Sequence, residues 1–187
     1  YGTPAGKMTL VGVTGTNGKT TTTYLIKQIL ERTRSARVGL IGTNQNLIGD
    51  KVVPTERTTP DALTVQRLLA QMADAGCAYA VMEVSSHALM QSRVAGIHFR
   101  VGVFTNLTQD HLDYHGTMEA YCDAKARLFD QCGIACVNGD DPWTRRLLAR
   151  FAGERVTFGQ GMTNDLVGWR ARYENDCVRF TACTDLD

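Results

Sequence analysis

Residues 10–24, LVGVTGTNGKTTTTY, constrain the 187-residue chain more than any other stretch. Leu10 to Val13 form an apolar run suited to burial on both faces of a sheet, Gly15 and Gly18 permit a tight turn, and Lys19-Thr20 opens a helical run. A strand that turns this tightly into a helix N-terminus presents successive backbone N–H groups and the positive end of a helix dipole to one point, which is an anion site. In a phosphate-binding loop the lysine pairs with β/γ-phosphate oxygens and the hydroxyl beside it holds Mg²⁺. Gly15, Thr16, Asn17, Gly18, Lys19, Thr20 and Thr21 are therefore the candidate nucleotide-binding residues. The strict pattern G-x-x-x-x-G-K-[ST] requires glycine at position 13, where this chain has Val13 and reads T-G-T-N-G-K-T. The competing reading is a glycine-rich strand-to-helix turn with an exposed lysine. Strand, glycines, Lys-Thr pair and helix arriving together favour the phosphate loop.

The remaining segments alternate in the same way. A helix is expected over Thr20 to Arg34, with Leu25, Ile26, Ile29 and Leu30 as its apolar stripe, and a buried strand over Arg37 to Gly42. A long loop follows, with one small hairpin strand at Lys51 to Pro54. Thr59-Pro60-Asp61 starts a second helix, Thr59 acting as N-cap and Pro60 in the first turn, with Ala62, Val65, Leu68, Leu69 and Met72 on its core face and Gly76 at its end. Cys77 to Val84 and Phe99 to Thr105 are apolar on both faces, as central parallel strands are. Thr117 caps a helix reaching about Gln131, Ile134 to Val137 is a strand, and Asp140-Asp141-Pro142 begins a helix carrying Trp143, Leu147 and Leu148. After Gly159 the pattern becomes period two, and Trp169 to Tyr173 and Val178 to Ala182 read as a hairpin around Asn175-Asp176. The expected fold is α/β: a mostly parallel, P-loop NTPase-like sheet with helices on both faces, plus a small antiparallel strand layer near the C-terminus. Residues 1–187 form one domain, with the hairpin of 160–187 appended to it because that stretch is too short for an independent core.

Composition narrows the function. A net charge of +1 with dispersed Lys and Arg gives no broad basic surface, so nucleic acid is not an expected partner. Six cysteines (Cys77, Cys122, Cys132, Cys136, Cys177, Cys183) contain no C-x-x-C pair and sit largely in apolar runs, which favours reduced, buried thiols in a cytoplasmic protein over disulfides or zinc. No stretch of 18 apolar residues and no signal-peptide core are present, so no membrane partner is expected. The N-terminus YGTPAGKM reads like the middle of a linker, the expectation being a domain taken from a longer, monomeric protein.

Ligands of open α/β sheets bind beyond the carboxyl ends of the strands. Four such ends here are polar: the phosphate loop, Glu83-Val84-Ser85-Ser86-His87, Asn106 to His111, and Asn138-Gly139-Asp140. Glu83 ends an otherwise apolar strand, where an unpaired carboxylate is costly; it meets either a cation or a buried base, and opposite a nucleotide loop a metal is the stronger reading. Ser85 and Ser86 are strand-end hydroxyls without a G-x-S-x-G elbow. His111 fits a solvated loop histidine or a metal or acid–base group equally well, Lys125 is by periodicity a helical lysine, and His98 is a surface residue.

Taken together, Gly15 to Thr20, Thr58-Thr59-Pro60-Asp61, Met82 to Leu89 and Thr105 to Gly116 resemble the ATP-binding central domain of the Mur ligases, over about residues 7–185. Within that family the E-V-S-S-H and D-H-L-D-Y-H-G blocks resemble those of the member that adds the third residue of the peptidoglycan stem peptide. The resemblance implies ATP-dependent amide formation through an acyl phosphate, with UDP-N-acetylmuramoyl-dipeptide and an amino acid, meso-diaminopimelate or lysine, as partners. It implies that Lys19 binds ATP phosphates, that Thr20, Glu83 and His111 are ligands in a two-Mg²⁺ site, and that Lys125 is the lysine whose carbamate supports the second ion. Lys19, Glu83, His111 and Lys125 are then the catalytic set, Thr58, Thr59, Ser85, Gln91 and Arg93 hold the UDP-muramoyl-peptide, and Asn138 contacts the adenine. Val13 agrees with the family's own loop. Family enzymes carry an N-terminal UDP-binding domain and a C-terminal amino-acid-binding domain that this chain lacks, so the expectation is ATP binding without turnover by this piece alone. The rival readings are a folylpolyglutamate-synthase-like ligase, which shares the loop, and a kinase or nucleotide-driven switch.

Overall fold

The computed structural model describes residues 1–184. A short 3₁₀ turn over Pro4–Lys7 leads into β1 (Thr9–Thr14), followed by α1 (Lys19–Arg34), β2 (Val38–Ile41), β3 (Asn46–Ile48), β4 (Lys51–Val53), α2 (Ala62–Asp74) and β5 (Tyr79–Glu83). Next come α3 (Ser86–Met90), β6 (Phe99–Phe104), α4 (Leu112–His115), α5 (Met118–Ala126), β7 (Cys132–Asn138), α6 (Thr144–Leu147), β8 (Glu154–Gly159), β9 (Leu166–Glu174) and β10 (Cys177–Thr184). All described strands join one sheet in the order β10-β9-β8-β7-β6-β1-β5-β2-β3-β4. From β2 across to β9 neighbouring strands run parallel, and the β3, β4 and β10 pairings at the two edges are antiparallel. The α/β fold is as the sequence implies, and the C-terminal hairpin is hydrogen-bonded into the main sheet through Phe158↔Leu166 and Gly159↔Val167.

This order fixes where a ligand goes. From β1 the chain moves one way to β2, whereas β5 to β6 crosses over β1 to its other side. Right-handed crossovers in opposite directions put their helices on opposite faces and open a crevice at the carboxyl end of the central strand. Alternate residues of β1 accordingly enter two cores. Val11 and Val13 pack with Val38, Val81 and Val103 beneath Ile26 and Leu30 of α1. Leu10 packs on the other face with Leu68, Leu69 and Met72 of α2, Phe99 and Phe104 of β6, and Tyr121 and Cys122 of α5.

Several local expectations are corrected. In α1, Leu25 and Ile29 are exposed, at 53% and 57%. Thr23, Ile26, Lys27 and Leu30 meet the sheet instead, because that i, i+3, i+4, i+7 set defines the face. Lys27 buries its stem there and pairs with Glu31 one turn on. The N-cap of α2 is Asp61, whose carboxylate accepts from Thr64 N at 3.0 Å. Thr59 is drawn away from capping by β5: its hydroxyl donates to Glu83 O at 2.8 Å and accepts from Ser85 N at 3.1 Å. The helix expected from Thr117 to Gln131 ends as α5 at Ala126 before a 3₁₀ turn over Phe129–Gln131, and the helix expected from Asp140 is the single turn of α6. All six cysteines are free, but Cys177 and Cys183 are exposed, since the hairpin carrying them is covered on neither face.

Thr14 is fully buried at the end of β1, and its hydroxyl has no hydrogen-bond partner among the described residues. Thr14→Val replaces that hydroxyl with a methyl of the same shape, so thermal unfolding should show a midpoint unchanged or raised by up to about 3 °C. A fall of more than about 3 °C would mean that the hydroxyl has a partner in solution.

Candidate functional site

The carboxyl ends of β1, β5 and β6 converge on the loop Thr14 to Lys19. Gly15 is buried with φ +145°, and a β-carbon there would collide with the Thr105 hydroxyl, so only glycine lets β1 turn beneath β6. Gly18 has φ +82° and caps α1 without a side chain, and Thr22 N is the first amide of the helix to bond back, to Gly18 O. The amides of Gly18 to Thr21 thus remain as forward-facing donors at the positive end of a 16-residue helix.

Thr16 and Asn17 are also tied to the strand end beside them. Thr16 N donates to Asn106 O and Asn17 N to Asn106 Oδ1, at 2.8 and 3.0 Å. Thr105 Oγ1 and Asn106 Nδ2 both donate to Asn17 O, at 2.7 and 3.2 Å. Thr16 Oγ1 accepts from Thr108 N and donates to Thr108 O. These bonds clamp the loop to the end of β6.

Lys19 Nζ folds back over the loop and donates to Gly15 O at 3.0 Å and Thr16 O at 2.8 Å. Burial lowers its pKa, while Glu83 and Asp110 pull it back up by favouring the ammonium form. Lys125, 1% exposed, donates to the same Gly15 carbonyl at 2.8 Å and lies 4.4 Å from the Tyr121 ring centre. Burial, reinforced by the charge of Lys19, pushes its pKa well below the usual lysine value. A lysine read from periodicity as an ordinary helical residue is in fact an interior amine biased toward its neutral, nucleophilic form.

Glu83 is completely buried, yet no cationic side chain among the described residues bonds it. Thr20 Oγ1 and Thr43 Oγ1 donate to its Oε2, both at 3.0 Å, and Thr43 N donates to Oε1 at 2.8 Å. Gly42 makes room, since a β-carbon there would stand 2.5 Å from Oε1. A buried carboxylate flanked by the loop threonine is an all-oxygen donor set, the kind a hard divalent cation takes. Among the described residues no three His, Cys, Asp or Glu side chains converge on one point.

His111 stands at the N-terminus of α4 with φ +52° and ψ +28°, a left-handed backbone uncommon for a non-glycine residue. Its Nε2 lies 3.5 Å from Asp110 Oδ2, and its ring meets the edge of His87 at a 4.9 Å centroid separation. Both histidines line a cavity of about 450 Å³ with Thr43, Thr55, Glu56, Arg57, Thr58, Thr59, Ser85 and Arg93. Of the residues expected to hold the second substrate, only Gln91 is outside this lining, and it acts through Arg93: Gln91 Oε1 accepts from Arg93 Nε at 3.0 Å while another guanidinium nitrogen donates to Thr59 O at 2.8 Å. Ser85 Oγ is committed to capping α3 through Ala88 N. Thr58 and Thr43 share a hydroxyl–hydroxyl bond of 3.0 Å, linking this cavity to Glu83. Asn138 lies beyond the clamp, its amide donating to Thr105 O and accepting from Asp140 N, so its first role is to tie β7 to β6.

Sequence reasoning missed Thr43, Thr105, Thr108 and Tyr121. Thr43 and Thr105 lie within two residues of the carboxyl ends of β2 and β6, where the strand-end rule that singled out Glu83 would have found them. Tyr121 carries no local signal.

Comparison with known proteins fits this geometry. A family model described as Mur ligase middle domain matches residues 13–185. A UDP-N-acetylmuramoyl-L-alanyl-D-glutamate--2,6-diaminopimelate ligase of Gloeobacter violaceus is 56% identical over 81% of this chain and 31% of its own. A ligase of the same name from Geobacillus kaustophilus is 46% identical over 98% of this chain and 39% of its own. A solved structure of a UDP-N-acetylmuramoyl-L-alanyl-D-glutamate--2,6-diaminopimelate ligase superimposes with a TM-score of 0.83 at 34% identity, over 95% of this chain and 37% of that one. The chain spans about a third to two fifths of the length of these relatives.

Proposed function

Because the chain belongs to the Mur ligase family as its middle domain, we propose that it is the nucleotide-binding part of an ATP-dependent ligase that joins 2,6-diaminopimelate to UDP-N-acetylmuramoyl-L-alanyl-D-glutamate. The observation that carries the reading is Glu83: a fully buried carboxylate bonded to the loop threonine, opposite two amines that share one loop carbonyl. The choice of 2,6-diaminopimelate over lysine rests on the relatives' names. In this reading the UDP-binding and amino-acid-binding domains belong to the rest of a longer polypeptide, which works as a monomer in the cytoplasm. Among the described residues no helix is long and apolar enough to cross a membrane.

The chemistry brings a carboxylate onto a polyphosphate, two anions that repel. The amides of Gly18 to Thr21 and the Lys19 ammonium hold the β/γ-phosphates and offset that charge. Thr20, Glu83 and His111 would hold Mg²⁺, with a carbamate of Lys125 supporting the second ion; such ions would supply charge to neutralise phosphate oxygens. Lys125 reaches that state by adding its neutral amine to CO₂ with loss of one proton, a step that burial favours by weakening the amine's hold on its proton. In the cavity beside Glu83, Arg93 and the hydroxyls of Thr58 and Thr43 orient the muramoyl peptide so that its carboxylate attacks the γ-phosphorus and ADP leaves. The amine of the incoming amino acid then displaces phosphate from the acyl phosphate, and Asn138 stands toward the adenine side. With the complete polypeptide, phosphate release should require UDP-N-acetylmuramoyl-L-alanyl-D-glutamate and 2,6-diaminopimelate together. Release with lysine but not 2,6-diaminopimelate corrects the acceptor. Release with a folate and glutamate, or without any amino acid, rejects the reading in favour of a folylpolyglutamate-synthase-like ligase or a kinase.

A further inference from the structure

We propose that Tyr121 is a positioning residue of the nucleotide site, its ring seating Lys125 and its hydroxyl setting the phosphate loop. This rests on the ligase reading above. Tyr121 is 1% exposed on α5, and a tyrosine so buried could be mere core filling. Its polar and π contacts argue otherwise. The hydroxyl lies 3.3 Å from Thr16 Oγ1, across 105 residues of chain, and Thr16 is the residue that Thr108 clamps from the other side. The ring face lies 4.4 Å from Lys125 Nζ, one turn on along α5. The same ring stacks on His115 at 4.8 Å and 27°, and His115 Nε2 is hydrogen-bonded to the buried hydroxyl of Ser86 at 2.9 Å. It also meets His111 edge-on at 6.1 Å. One side chain therefore touches residues beyond the ends of β1 and β6 and the lysine facing them, and reaches Ser86 beyond β5 through His115. No other group among the described residues makes all these contacts.

Two functions separate by atom. The hydroxyl acts on the loop and should govern how well the phosphates are held. The ring confines the Lys125 side chain, whose one other polar partner among the described residues is Gly15 O, and should govern the chemical step. In the complete polypeptide, assayed well below each variant's unfolding midpoint, Tyr121→Phe keeps the ring and loses the Thr16 contact. It should raise the KM for ATP about three- to tenfold, the worth of one hydrogen bond, with kcat within about twofold. Tyr121→Leu should lower kcat by about a hundredfold or more, and Phe at the same position then counts as the rescue of kcat by the conservative side chain. Where Tyr121→Leu does not fold, the Phe variant decides: a KM for ATP within twofold of wild type overturns the proposal. So does a Leu variant that folds and keeps kcat within about twofold. A wild-type polypeptide without ATP-dependent turnover overturns the ligase reading and this proposal with it, whereas wild-type turnover with unaffected variants overturns the proposal alone.

Discussion

Lys19→Ala should reduce ATP-dependent turnover of the complete polypeptide by about a thousandfold, the loss typical when a preorganised group facing transferring phosphate is removed. The structure gives the reason for so large an effect. Lys19 Nζ is already fixed over the loop by Gly15 O and Thr16 O, so its charge reaches the phosphates with little further ordering. Burial weakens its hold on the proton, but Glu83 and Asp110 support the ammonium form. Lys19→Arg should not rescue, because a planar guanidinium does not fit a pocket shaped by two loop carbonyls. Steady-state phosphate release with saturating muramoyl substrate checks this; turnover within about tenfold of wild type would place the phosphates elsewhere.

Lys125→Met should abolish turnover and at the same time stabilise the fold. An interior amine with one hydrogen bond and an aromatic face costs stability while it is protonated, whereas a thioether of similar length fills the space without that cost. The expected gain is on the order of 1 kcal/mol at neutral pH, a rise of about 2–4 °C in the unfolding midpoint of a chain this size. The sign with pH follows from proton counting. Between the lowered folded-state pKa and the ordinary value of 10.5 the unfolded chain holds the lysine proton and the folded chain does not. Wild-type stability from this group therefore rises as pH climbs through that window and is lowest below it. The stability advantage of Lys125→Met should accordingly shrink toward pH 10, which thermal unfolding as a function of pH reads directly. The turnover defect should recover in part with added short carboxylates, which replace the proposed carbamate. Full activity of Lys125→Met without additives would reduce Lys125 to a buried structural lysine.

The parts legible in the sequence were those whose chemistry is local. Strand, glycine turn and Lys-Thr helix start in residues 10–24 each have a residue-level signature, and the structure places them together. Glu83 stood out because a carboxylate ends an apolar run; it is fully buried and accepts from Thr20 and Thr43. Where tertiary contacts decide, the sequence misled. Thr59 has the composition of an N-cap, but the backbone of β5 competes for its hydroxyl, and Asp61 two residues on is an equally good cap. Leu25 and Ile29 look like core, yet they lie off the face that Thr23, Ile26 and Leu30 present to the sheet. β8 escaped notice because it is only half covered and its residues, Glu154 to Gly159, mix charge with apolar side chains. The interior place of Lys125 and the contacts of Tyr121 depend on how α5 packs against the loop, which no spacing along α5 reveals.

Under the proposed function the amides of Gly18 to Thr21, Lys19 and the Thr20–Glu83 pair together hold a magnesium-bound nucleotide. Calorimetric titration of the 187-residue chain with ATP, in Mg²⁺ and again in EDTA, tests it most directly. One saturable site is expected in Mg²⁺, weakened at least about tenfold by EDTA and equally by Glu83→Gln. Binding that is indifferent to both, or no binding at millimolar ATP in Mg²⁺, would contradict it.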